Sequence, residues 1–131
     1  MPELRYFFDT SAFLAIIRKE PNWKEVADFL DSLRRNQRVT SVLVAYELYR
    51  GVHPASRTRK AQLRELDAIL GYFSLKPVYE AQAMLASKVH YKSKGSIDPI
   101  LAAQCLDGGY TLVTMNVKDF ERVPGIRLLT F

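Results

Sequence analysis

Short apolar runs and longer runs with helical spacing alternate along this chain, and the alternation predicts its elements. Leu4 to Phe8 is mostly apolar and aromatic without strict in-out alternation. That pattern suits a strand covered on both faces, as in a parallel sheet. Asp9-Thr10-Ser11 comes next, and Ala12 to Ile17 reads as a helix. Asn22 to Arg35 carries Trp23, Val26, Ala27, Phe29, Leu30 and Leu33 as a helical apolar stripe, with Glu25, Asp28 and Asp31 toward solvent. Arg38-Val39-Thr40 is a short strand candidate. Ser41 then caps a helix from Val42 to Gly51, whose apolar residues lie on nearly every side and predict a largely buried element.

Beyond a loop from His53 to Lys60, a helix runs through Leu63, Leu66, Ile69 and Leu70. Phe73-Ser74-Leu75 reads as a short strand, and Val78 to Lys94 as a long helix. Gly95-Ser96-Ile97-Asp98-Pro99 opens the next helix, Ile100 to Asp107, which Gly108-Gly109 stops. Thr111 to Thr114 is a β-branched strand, Met115 to Phe120 a turn or short helix, and Gly125 to Leu129 a last strand. Strands alternating with helices predict an α/β fold, a parallel sheet with helices on both faces.

Composition narrows the class. The 131 residues predict a single domain over 1–131. Hydrophobic residues at 48% and charged residues at 25% are ordinary for a soluble globular chain. The single cysteine, Cys105, lies in an apolar helical stretch and reads as a buried thiol, which fits a reducing, cytoplasmic setting. Neither a signal peptide nor a membrane span is expected. A net charge of +5 leans toward a polyanionic partner. The loop carrying Arg57, Arg59 and Lys60 is able to contact phosphates, or is simply a solvated face.

Candidate chemistry comes from acids at telling positions. Asp9 ends the first strand, where ligands of open α/β sheets bind, and Asp is also a good helix N-cap. Glu47 is a carboxylate in a helix predicted to be buried, which is costly unless it is paired, metal-bound or facing a cleft; a salt bridge to Arg50 is the structural alternative. Asp98 before Pro99 reads as an N-cap with Pro at N1, at the helix feeding a second site strand. Asn116 stands just past that strand, with Asp119 three residues further on. His90 and Lys88, Lys92 and Lys94 need no ligand role. Hard oxygen donors without Cys or His favour Mg²⁺ (or Mn²⁺), which activates water and neutralises charge on a phosphate. In a basic protein that suggests a nuclease.

These motifs resemble a known family. Phe8-Asp9-Thr10-Ser11, Tyr46-Glu47-Leu48 with Gly51, Asp98-Pro99-Ile100-Leu101-Ala102-Ala103, and Leu112-Val113-Thr114 with Asn116 and Asp119-Phe120 are similar, in order and spacing, to PIN-domain ribonucleases. The likeness is greatest to single-domain VapC-type toxins of prokaryotic toxin–antitoxin pairs. The resemblance implies a PIN-like fold, with a small central parallel sheet flanked by helices, and metal-dependent endonucleolytic cleavage of RNA. It implies a metal site of Asp9, Glu47 and Asp98, with Asn116 where the family often has a fourth acid and Asp119 able to supply the missing charge as a further catalytic residue. Thr10, Ser11 and Thr114 match supporting positions. Implied partners are an RNA substrate, a cognate antitoxin filling the acidic groove, and a second copy in a homodimer. The helices from Asn22 to Arg35 and Val42 to Gly51 are candidates for both protein contacts. Two other readings remain: a catalytically weak or dead PIN fold acting as an RNA-binding or scaffold module, and a Mg²⁺-binding phosphoacceptor signalling domain. The second lacks an acceptor Asp in residues 73–77.

Overall fold

A computed structural model describes residues 3–89 and 96–131. Five short strands form one all-parallel sheet: β1 (Tyr6–Phe8), β2 (Arg38–Ser41), β3 (Ser74–Lys76), β4 (Thr111–Val113) and β5 (Arg127–Leu129). Their spatial order is β3-β2-β1-β4-β5. Six helices among the described residues flank the sheet: α1 (Thr10–Ile17), α2 (Trp23–Ser32), α3 (Val42–Arg50), α4 (Arg59–Leu70), α5 (Glu80–Lys88) and α6 (Asp98–Gly108). None is long and apolar enough to cross a membrane.

The order explains the unbroken apolar run of β1. It is the middle strand, with Phe7 beside Val39 on one side and Leu112 on the other. Phe7 and Phe8 are fully buried. The ring of Phe8 meets Phe73 at 5.1 Å between centroids, and Phe73 meets Phe13 of α1 at 4.7 Å. Each such side chain contributes about 1.5–3 kcal/mol by burial, so β1 and α1 are fixed tightly to each other. Thr40, also fully buried, donates its hydroxyl to the Phe8 carbonyl at 2.7 Å and ties β2 to the end of β1.

Several boundaries differ from the sequence reading. The helix predicted over Asn22 to Arg35 is Trp23–Ser32: Asn22 sits at φ 71, outside helical space, and Leu33 turns extended before a 3-10 turn at Arg35–Gln37. Glu25, Asp28 and Asp31 are exposed, as expected. α3 is not largely buried: only Val44, Ala45 and Leu48 are buried, while Val42, Tyr46 and Tyr49 stand exposed. Tyrosine permits this, since its hydroxyl belongs at water and its ring covers neighbours. The helix predicted from Val78 to Lys94 is described only as Glu80–Lys88, with extended backbone at Val89. The expectations for His90, Lys92 and Lys94, and for Gly95 as part of the next helix's opening, lie outside the described residues. Gly109, at φ 68, ends α6 in the left-handed conformation that glycine adopts without strain.

Candidate active site

Chain order and spatial order part company at β1. The chain builds outward from β1 to β2 and β3, then crosses to the other side of β1 for β4 and β5. At such a switch point the loops leaving adjacent strands diverge and open a crevice at their carboxyl ends. Asp9 stands there at the end of β1 and Thr114 at the end of β4.

The N-cap reading of Asp9 holds, and the carboxylate lies at the strand end where the sequence placed it. Asp9 is the N-cap of α1, its Oδ1 accepting from the Ala12 N–H at 3.0 Å. It is also a carboxylate only 4% exposed inside a cradle of hydroxyls. Ser11 Oγ donates to Oδ1 at 2.6 Å and Thr114 Oγ1 to Oδ2 at 2.6 Å. Ser11 Oγ in turn accepts from the Met115 N–H at 2.9 Å, and Thr114 Oγ1 accepts from the Asn116 N–H at 3.0 Å. Burial pushes the Asp9 carboxyl above its ordinary value; the Ser11, Thr114 and Ala12 donors pull it back, and the Asp98 charge adds a final upward push.

Glu47 does not pair with Arg50. Its Oε1 accepts from Thr10 Oγ1 at 2.6 Å, which brings it to the residue next to Asp9, while the Arg50 guanidinium lies 5.6 Å from the Tyr46 ring centroid. Asp98 is the first residue of α6 rather than its N-cap. Ile97 holds the cap position, the Asp98 N–H donates to Ser96 Oγ at 3.1 Å, and Pro99 is the second helical residue. Ile97 supplies the first helical acceptor, its carbonyl taking the Ile100 and Leu101 N–H groups at 2.9 and 3.1 Å.

Hydrogen bonds join Asp9 with Ser11 and Thr114, and Glu47 with Thr10, the residue next to Asp9; the Asp98 charge reaches Asp9 only as the smallest influence on its carboxyl. Asn116 is attached through its backbone, and its side chain is exposed. Asp119, exposed in the 3-10 turn Val117–Asp119, makes no described hydrogen bond or ion pair with the other acids. Among the described residues no three acids, His or Cys yet converge closely enough to hold an ion. The donor set itself is oxygen throughout and fits a hard divalent cation. Cys105 lies behind it, buried, with its thiol pushed up by burial and then by the Asp9 charge, so it is no ligand. One support was not singled out by the sequence reading: Thr40, whose hydroxyl fixes the end of β1.

The PIN domain model matches residues 6–126. The chain is 28% identical over 130 residues to Ribonuclease VapC1 of Rickettsia felis, covering 93% of this chain and 92% of that protein. It is 26% identical to Ribonuclease VapC of Rickettsia bellii with the same coverage. In fold it is similar to a crystal structure of VapBC2 from Rickettsia felis bound to a promoter DNA fragment, with TM-score 0.83, 23% identity, and 98% of this chain and 99% of that one covered.

Proposed function

The chain belongs to the PIN-domain family, and on that premise we propose that it is a metal-dependent endoribonuclease, the toxin of a VapBC-type pair. The observation that carries the proposal is the buried Asp9 carboxylate, oriented by Ser11, Thr114 and Ala12 at the switch point of the sheet, with Glu47 one residue away through Thr10 and a weaker repulsion from the Asp98 charge. A carboxylate that burial penalises and like charge repels is costly to folding, and a cation removes that cost.

In this reading Asp9, Glu47, Asp98 and Asn116 hold Mg²⁺ or Mn²⁺, and Asp119 supplies further negative charge. The ion supplies Lewis acidity, activating water and neutralising charge on the phosphate. The chain's own part is positioning. Ser11 and Thr114 fix both oxygens of Asp9 in one rotamer, and Thr10 holds Glu47 at the rim. A protonated Asp9 is a poor ligand, so activity weakens as pH falls. The likeness to VapC ribonucleases and VapBC structures supports a cognate antitoxin as partner. The exposed Val42 and Tyr49 of α3 support protein contact there, including a homodimer. The molecule acts as one domain in the cytoplasm.

The test is RNA cleavage by purified, antitoxin-free protein with Mg²⁺ or Mn²⁺, with chelator, and with Asp9→Asn. Cleavage that needs metal and is lost in the variant is expected. Cleavage surviving chelation, or none from folded protein, overturns the reading; in the second case a binding module takes its place.

A further inference from the structure

The chain's charge is not spread evenly. Its net charge is +5, and the stretch from Leu48 to Arg64 holds Arg50, Arg57, Arg59, Lys60 and Arg64 with no Asp or Glu. That single stretch therefore carries the whole imbalance, and the rest of the chain is neutral. All five cations are exposed. The one ion pair among the described residues, Arg34 with Glu3, lies elsewhere. Arg50 suits the last turn of α3, but folding stability does not account for Arg59 and Lys60. Arg59 and Lys60 occupy the first turn of α4, which has no acid, and cations there oppose the helix dipole.

The stretch is joined to the candidate site. A groove of about 390 Å³ is lined by Thr10, Glu47, Gly51, Val52, Gln62 and Glu65; the five cations stand outside it, and Gly51 and Gln62 are neighbours in sequence of Arg50, Lys60 and Arg64. Tyr46, 56% exposed, is the sequence neighbour of Glu47, and the Arg50 guanidinium lies 5.6 Å from its ring centroid. Between His53 and Lys60 no large apolar side chain offers an anchor for a protein partner. Exposed cations with one open aromatic ring match a strand whose phosphates need neutralising and whose bases have free faces to stack.

We propose that Arg50 to Arg64, together with Tyr46, forms an arm that binds single-stranded RNA and leads it toward Asp9 and Glu47. The proposal rests on the ribonuclease reading and names the part of the surface that takes the substrate. Arg57, Arg59 and Lys60 hold phosphates away from the reacting one. Tyr46 stacks a base next to the site.

The experiment measures binding of a fluorescent oligouridine, sized within the about 4–16 nucleotides of single-strand sites, by anisotropy in chelator over a salt series. Each phosphate contact contributes about 0.7 to the slope of log affinity against log salt for single strands. The combined variant Arg57→Gln, Arg59→Gln, Lys60→Gln is expected to flatten that slope by about 2, so a fourfold rise in salt costs the wild type about twentyfold more affinity than the variant. Tyr46→Ala is expected to weaken binding about fivefold or more with the slope unchanged. Lys19→Gln, Lys24→Gln, Arg122→Gln removes equal charge elsewhere and is expected to leave the slope alone. If the wild type cleaves RNA but the first variant keeps its slope, or the control flattens equally, the arm is refuted and the ribonuclease reading stands. If the wild type neither binds nor cleaves RNA, both fall.

Discussion

Thr114→Val isolates the hydroxyl that orients Asp9. Thr114 is fully buried, and its Oγ1 donates to Asp9 Oδ2 at 2.6 Å. Valine nearly preserves the shape, so little cavity forms; the loss is a hydrogen bond to a charged group, worth about 1.5–3 kcal/mol. The Asn116 N–H also loses its acceptor, but Asn116 is exposed and water replaces it at little cost. The cost depends on pH with a definite sign. The Thr114 donor lowers the Asp9 pKa, against a burial that raises it, so it stabilises the charged form selectively. Above the folded-state pKa the full penalty applies. As pH falls through that value Asp9 protonates, and the penalty shrinks. Thermal unfolding in chelator reads this directly. At about 3–5 °C per kcal/mol for a chain of this size, the melting temperature should drop by about 5–15 °C near neutral pH and by clearly less in acid. A loss under about 2 °C at neutral pH, or one equal at both pH values, would refute the account of the cradle.

Two further outcomes stem from the same burial. In chelator, Asp9→Asn should be more stable than the wild type at neutral pH. The folded-state pKa of Asp9 is raised, so the wild type's contribution is fully present below the ordinary value of 3.8 and is lost as pH rises through the folded value. Urea unfolding across pH should show the gap closing on acidification, and equal stability at neutral pH would contradict it. Cys105, 1% exposed with its thiol pushed up, should resist alkylation in native protein and react only at the rate of unfolding; fast labelling under native conditions would place it nearer solvent than described.

The strand, acid and helix at the start of the chain were legible because three signals agree there. An aromatic run needs burial on both faces, Asp-Thr-Ser caps the next helix, and Ala12 to Ile17 packs. Glu47 was legible for the opposite reason, as a residue at odds with its neighbours. The fully covered α3 was misread because Val42, Tyr46 and Tyr49 count as apolar in a pattern, whereas the structure leaves them at the surface. Asp98 was misplaced by one position because the first helical acceptor is the Ile97 carbonyl, and a one-residue shift of a helix start is not encoded in spacing. Thr10 joining Glu47 was beyond reach for a similar reason: pairings across 37 positions depend on how α1 and α3 meet, not on either segment alone.

The bonds that complete the Asp9 cradle span the sequence almost end to end: Thr114 lies 105 positions from Asp9, and Ser11 lies 104 from Met115. Contacts so distant are late to form, since each requires closing most of the chain into a loop. Synthesis proceeds from the N-terminus, so a growing polypeptide holds Asp9 with only its local partners, Ser11 and Ala12, until β4 has been made. A chain stalled or cut before that point has the first acid but not the pocket. On the ribonuclease reading proposed above, the complete site is thereby reserved to the finished molecule.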